Sequence, residues 1–167
     1  MSVRGFALFE TPVGSCGIAW SEAGLLGTWL PEADPARMAR CFPGLAEAPM
    51  PPAVARIAER IVTHLGGTRI AYADVALDEG AVGEWEMSVY RAAAAIPFGE
   101  TRTYGALARQ LGRPEGAQAV GQALGRNPWP IVIPCHRVIR KDGHLCGYGG
   151  GLRRKEYLLE LEGRKRR

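Results

Sequence analysis

Cys135 stands in the run Ile133-Pro134-Cys135-His136-Arg137-Val138-Ile139, where a thiol, an imidazole and a guanidinium are consecutive. A thiolate, not a thiol, is the nucleophile, so a reactive cysteine needs a base or a positive charge nearby. His136 and Arg137 supply both types, and the pattern is far more specific than a lone cysteine, which is ordinarily a small buried hydrophobe. Pro128, Pro130 and Pro134 surround the apolar run Ile131-Val132-Ile133. Their fixed φ and missing N–H groups predict a stiff loop, neither helix nor ladder strand, leading to a fixed Cys135. In an extended segment neighbouring side chains point to opposite sides, so His136 is expected to reach the sulfur through a bridging water. A third group must then orient the imidazole. Glu162 is our choice, although spacing alone does not separate it from Glu160 or Glu156.

Asn127 precedes Pro128 and is therefore biased to extended geometry, with an amide able to bind nearby backbone and tie the preceding helix to the cysteine loop. Downstream, Gly147-Tyr148-Gly149-Gly150-Gly151 offers a permissive backbone that can approach a planar ligand closely. His144 and Cys146 read as incidental. Cys16, Cys41 and His64 match no usual ligand spacing, so no metal site is expected, and no cofactor.

These residues need elements to hold them. Thr103-Tyr104-Gly105-Ala106-Leu107-Ala108-Arg109-Gln110-Leu111, then Gly112-Arg113-Pro114-Glu115, then Ala117 to Leu124, reads as two short helices around a tight turn. Thr103 caps the first and Gly112 stops it. The second is rich in small residues, including Ala117 and Gly121, so its backbone can lie close to a neighbouring surface. Helix-turn-helix units place such a second helix in a DNA groove; an ordinary helical hairpin is the alternative. A helix over Trp85 to Ala95 precedes the pair, and an amphipathic helix over Lys155 to Glu162 follows. Further upstream, Val3 to Phe9, Cys16 to Trp20 and Leu25 to Leu30 read as strands of a small antiparallel sheet with a turn at Thr11 to Gly14. Helices are expected over Asp34 to Cys41 and over Pro52 to Leu65, where Val54, Ile57, Ile61 and Leu65 share a face. Ile70 to Val75 reads as one more strand and Asp78 to Val82 as a loop. The fold class is therefore α+β: a sheet-containing N-terminal domain at residues 1–82, then a mostly helical domain at residues 83–167 that contains the helix-turn-helix.

Charge follows the same division. Seven Lys/Arg face twelve Asp/Glu before residue 102, and fourteen face five from there on. A basic C-terminal half suits a polyanion, because neutralising phosphates supplies most non-specific nucleic-acid affinity. Charge alone leaves a solvated basic face with an Arg164-Lys165-Arg166-Arg167 tail equally open. No stretch approaches the ~18 consecutive apolar residues of a membrane span. The opening residues carry no secretory pattern, so free thiols in a cytoplasmic setting are expected.

Together, Ile-Pro-Phe-Gly-Glu-Thr-Arg-Thr-Tyr, Ala-Val-Gly, Arg-Asn-Pro, Pro-Cys-His-Arg-Val-Ile, Gly-Tyr-Gly-Gly-Gly and Arg-Lys-Glu-Tyr-Leu-Leu resemble the O6-alkylguanine-DNA alkyltransferases, over about Trp85 to Gly163. The resemblance implies a monomer that acts on double-stranded DNA containing alkylated bases and flips the damaged nucleotide into a pocket. It makes Cys135 the alkyl acceptor of a single-use reaction, with His136 and Glu162 completing its relay and Asn127 as hinge. Tyr104 would protonate or hydrogen-bond the departing guanine. The backbone of Cys135, Val138 and Gly149 would read the base edge, with Pro130, Leu124 and Tyr148 walling the pocket. Gln118, Ala117, Gly121, Thr103, Arg126 and Arg137 would meet the DNA. O4-alkylthymine is left open as a second substrate.

Two positions depart from that pattern. Gln118 stands where an arginine normally enters the base stack, and lacks its planar fork and charge, which predicts weaker flipping. Trp85-Glu86 replaces a usual Phe-Gln, for which a packing effect alone is expected. A lesion sensor without transfer and a cysteine hydrolase are the other readings. The first is opposed by the presence of Cys135, the second by the want of an evident Asn or Asp orienter.

Overall fold

The computed structural model describes residues 4–31, 33, 34, 36, 42–143 and 151–163. The chain divides into two compact units, Met1–Gly80 and Ala81–Arg167.

In the first unit, β1 (Gly5–Thr11), β2 (Gly14–Ser21) and β3 (Gly24–Trp29) form an antiparallel meander. The tight turn at Pro12-Val13 sets the register, pairing Thr11 with Gly14 and Phe6 with Ala19. Both outer strands are covered by backbone. Phe6 exchanges hydrogen bonds with Ala46 and Ala48, and Leu25 with Ala76 and Asp78, which leaves less bare edge to recruit another chain. Helix α1 (Pro52–Leu65) packs against β1 and buries Val54, Ala58, Ile61 and Leu65; Ile18, Trp20 and Leu25 of the sheet are buried as well. Ile57 is only half-buried. The helix expected over Asp34 to Cys41 falls mostly outside the described residues.

The strand expected over Ile70 to Val75 does not form. That segment is held by α1 side chains instead: the Arg60 guanidinium donates to both Asp74 carboxylate oxygens and to the Ala71 carbonyl, and His64 Nδ1 lies 2.9 Å from the Tyr72 hydroxyl. Val75 N–H donates to the Tyr72 carbonyl, bending the chain into a turn that a ladder strand excludes.

The second unit is built on α2 (Glu84–Ala94), whose Met87, Val89, Tyr90 and Ala93 are buried. A short strand β4 (Arg102–Thr103) leads directly into α3 (Tyr104–Gln110), and the turn 111–116 leads into α4 (Ala117–Gly125). Thr103 Oγ1 accepts from the Ala106 N–H at 3.0 Å, as its cap role predicts. Gly112, at φ +78°, ends α3 in the left-handed conformation that favours glycine. Tyr90 fixes α4 on α2 by donating its hydroxyl to the Ala123 carbonyl at 2.6 Å. Strand β5 (Val138–Ile139) pairs in parallel with β4, and α5 (Leu152–Leu161) closes the unit by burying Leu158 and Leu159. The β4–β5 pairing was not foreseen, since two residues are too few to show a period.

Candidate active site

The segment after α4 is shaped by Asn127. Its side-chain amide donates to the Ile133 carbonyl at 3.0 Å, and its Oδ1 accepts from the Trp129 N–H at 2.9 Å. The loop closes again through Ile133 N–H to Trp129 carbonyl at 2.8 Å. Within it Ile131 takes φ +76°, a left-handed conformation that costs a β-branched residue roughly 1–2 kcal/mol. Fully buried Trp129, edge-on to Tyr90 with ring centroids 6.0 Å apart, anchors the strained turn.

The expectation of extended backbone through the cysteine is corrected. Cys135–Arg137 forms a turn of 3₁₀ helix, with Arg137 N–H donating to Pro134 and Val138 N–H to Cys135. Proline ends at Pro134, so residues from 135 on have their N–H groups and can turn. At three residues per turn, three consecutive side chains fan out about 120° apart. Cys135, His136 and Arg137 therefore leave the backbone in different directions, and their side-chain tips need not follow the alternation of a strand.

His136 and Arg137 converge on one carboxylate. Glu162 Oε2 lies 3.0 Å from His136 Nε2. Arg137 engages both Glu162 oxygens, Nε to Oε1 at 2.7 Å and Nη2 to Oε2 at 2.9 Å, and its Nη1 donates to the Ile96 carbonyl at 2.7 Å. All three side chains are buried. A bidentate guanidinium is what makes a buried carboxylate tolerable, since an unbalanced ion would cost several kcal/mol. The turn Ile96 to Gly99 walls the cluster, with the Phe98 ring 5.7 Å from the Arg137 guanidinium. Gly99 has φ +86°, and a Cβ there would stand 2.9 Å from the Glu162 carbonyl, so a side chain at 99 would push the Glu162 backbone away. Arg137 is buried and paired with Glu162, an arrangement that does not fit the expectation that it meets the DNA. The helix bearing Glu162 starts earlier than expected, and Glu162 caps its end. Glu156 and Glu160, the alternatives by spacing, lie less deeply than Glu162.

A second cation was missed. Lys155 is 1% exposed, with Nζ donating to the Val138 carbonyl at 2.7 Å and to the Tyr104 hydroxyl at 3.3 Å. It joins Tyr104, at the start of α3, to the backbone just beyond Cys135. The Tyr104 ring also lies against Gly121, where an added Cβ would meet it at ordinary contact distance, 3.7 Å.

Burial pushes the Cys135 thiol up from its ordinary value. The Asn127 side chain, the Lys155 charge and the N–H groups of Cys135 and His136 oppose that shift by favouring the thiolate. Val138 and Leu124 are buried and Pro130 is half-buried. Tyr148 and Gly149 lie outside the described residues. Gln118 and Arg126 are exposed, and Ala117, Gly121 and Thr103 are half-buried. Among the described residues no group of three His, Cys, Asp or Glu could hold a metal ion; Cys41 is outside them.

Trp85 and Glu86 do more than pack, contrary to expectation. The Arg113 guanidinium carbon lies 4.1 Å from the Trp85 ring centroid, and Arg126 Nη1 lies 3.5 Å from Glu86 Oε1.

A family model described as the DNA binding domain of 6-O-methylguanine DNA methyltransferase matches residues 84–164. The methylated-DNA–protein-cysteine methyltransferase of Methanosarcina acetivorans is 38% identical over 165 residues, covering 95% of this chain and 97% of that protein. The chain belongs to the methylated-DNA–protein-cysteine methyltransferase family. Within that family, the protein of Mycolicibacterium paratuberculosis is 48% identical over 114 residues, 68% of each chain. The crystal structure of the Mycobacterium tuberculosis O6-methylguanine methyltransferase superposes with a TM-score of 0.77 at 36% identity, covering 95% of this chain and 92% of that one. The same Mycobacterium tuberculosis protein in complex with DNA gives 0.80 at equal coverage. This methyltransferase chain shares the mixed α+β architecture of those structures.

Proposed function

We propose that this chain repairs double-stranded DNA directly, moving an alkyl group from O6 of guanine to Sγ of Cys135, once per molecule. The observation that carries this reading is the buried Glu162 carboxylate, shared by His136 and Arg137 behind a buried thiol. With Arg137 balancing the carboxylate, Glu162 orients the imidazole: a proton on Nε2, facing Glu162, leaves Nδ1 as the basic nitrogen. That base accepts the thiol proton through a water. The sulfur attacks the alkyl carbon in line with the C–O6 bond; the S–C bond forms as the C–O6 bond breaks, and guanine leaves carrying the electron pair. Tyr104 gives the departing base a proton, and the Lys155 ammonium beside its hydroxyl stabilises the phenolate left behind. The Val138 carbonyl reads the base edge. A thioether has no hydrolysable bond, so the thiol is not restored.

The chain acts as a cytoplasmic monomer on a flipped base, with α3 and α4 as its helix-turn-helix and α4 in the groove. No helix among the described residues is long and apolar enough to cross a membrane. Gln118, exposed on α4, fills the space of the extruded base less well than an arginine. Gln118→Arg should therefore speed reaction with duplex and leave single-stranded reaction unchanged; equal duplex rates would remove this role. The main test is a titration with excess O6-methylguanine duplex: repaired guanines should plateau at about one per protein, as an unregenerated acceptor requires. Continued turnover would point to a hydrolase, and binding without repair to a lesion sensor.

A further inference from the structure

The recognition helix α4 is bracketed by two arginines, and adjacent residues in the first turn of α2 hold them in opposite ways. Arg113, in the turn before α4, has its backbone pinned by N–H to the Ala108 carbonyl at 2.8 Å and by its carbonyl to the Gly116 N–H at 2.8 Å. Only its exposed side chain remains to be ordered, and Trp85 orders it at 4.1 Å. At that distance the guanidinium carbon stands over the ring, whose face attracts the cation and carries no carboxylate to neutralise it. Arg126, the residue ending α4, faces the Glu86 carboxylate at 3.5 Å, with side-chain exposures of 66% and 25%. An ion pair that open is weak, yet it sets one of the guanidinium nitrogens against a carboxylate instead of a phosphate. Glu86 also lies close over Gly83, where an added Cβ would stand 2.5 Å from Oε2, which places its carboxylate at the start of α2.

We propose that the first turn of α2 sets the grip of α4 on the DNA backbone: Trp85 is a positioning residue that presents Arg113 to a phosphate, and Glu86 restrains Arg126. The inference rests on the DNA reading above and adds the residues that tune it. A free arginine side chain has many rotamers to lose on binding, and stacking removes part of that cost before DNA arrives. The guanidinium stays fully charged on the ring, whereas beside Glu86 the local charge is cancelled until phosphate displaces the carboxylate.

The test is binding of an undamaged fluorescent duplex by anisotropy, from 50 to 300 mM KCl, with full-length variants. Arg113→Ala should weaken binding about 5- to 20-fold at low salt and reduce the salt slope by about one. Trp85→Ala should follow it at about 3- to 10-fold, and Trp85→Phe, which keeps a ring, should recover most of the loss. Glu86→Gln keeps the side-chain shape and removes the charge, so binding should tighten about 2- to 5-fold. In the Arg113→Ala background, Trp85→Ala should have no further effect. A purely structural Trp85 gives additive losses, and additivity, or weaker binding by Glu86→Gln, overturns the proposal. Trp85→Phe keeps the test decisive should Trp85→Ala not fold. A wild-type protein that neither binds duplex nor gains an alkyl group defeats the DNA reading itself. One that does both, with an additive cycle, defeats only this inference.

Discussion

The two units bury different kinds of side chain. Among the described residues of the first, the buried polar groups are Thr28 and His64; in the second they are His136, Arg137, Lys155 and Glu162. The first unit keeps its guanidinium–carboxylate pair, Arg60 with Asp74, toward solvent, where it ties down a loop. The second puts the same chemistry inside, behind a thiol. Buried ion pairs stabilise little against well-packed apolar residues of similar volume, so a concentration of them is better explained by chemistry than by folding.

Glu162→Ala tests that contrast most severely. It leaves Arg137 and His136 uncompensated, with an expected loss of about 3–5 kcal/mol in urea unfolding. Transfer should slow on the order of 10²- to 10⁴-fold in the fraction that folds. Lys155→Met should separate the two effects, since it keeps the stem and removes the charge. We expect roughly 10²-fold slower transfer in single-turnover kinetics with stability nearly retained. A variant that transfers at the parent rate would make Lys155 a packing residue. In the first unit, Tyr72→Phe removes a hydrogen-bond partner of His64; it should cost about 1 kcal/mol in thermal unfolding and leave transfer unchanged.

The pH profile should divide between the units as well. Hydrogen bonds from Arg60 and from Ser21 hold the Asp74 and Asp78 carboxyls below the usual range. Lowered folded values mean stability that is present above the unfolded pKa, about 4, and lost as pH falls below it. In the second unit desolvation raises the Cys135 thiol and pushes Tyr90 up to about 12. Raised folded values mean the reverse: stability is intact below the unfolded pKa values, about 8.5 and 10, and lost as pH rises beyond them. Thermal melts should therefore show an acid limb flattened by Asp78→Asn and an alkaline limb flattened by Cys135→Ser. Exchanged effects would refute the assignment.

Much of this was legible in the sequence. The three N-terminal strands, α1, the Thr103 cap and the Gly112 stop are local matters of period and turn chemistry, and the sequence shows these directly. The cysteine loop was legible because prolines and Asn127 act over short range. The pairing of Arg137 with Glu162 was not legible because the direction of its side chain depends on one backbone turn beginning where the prolines end. Lys155 was missed because a lysine on an amphipathic helix reads as solvated; only the Val138 carbonyl and the Tyr104 hydroxyl, brought in by β4–β5 pairing, reveal it as buried. Ile70 to Val75 looked like a strand on composition, and Arg60 on another element prevented it. The roles of Trp85 and Glu86 depended on which arginines the turn 111–116 and the end of α4 would bring to them.

The central claim is that this buried cluster serves one thiol. Incubation of the protein with a duplex carrying a single O6-methylguanine, followed by intact mass and peptide mapping, tests it most directly. The account predicts one added methyl per molecule, located on Cys135, and none in Cys135→Ser. Repaired DNA with an unmodified Cys135, or methyl on another residue, would contradict it.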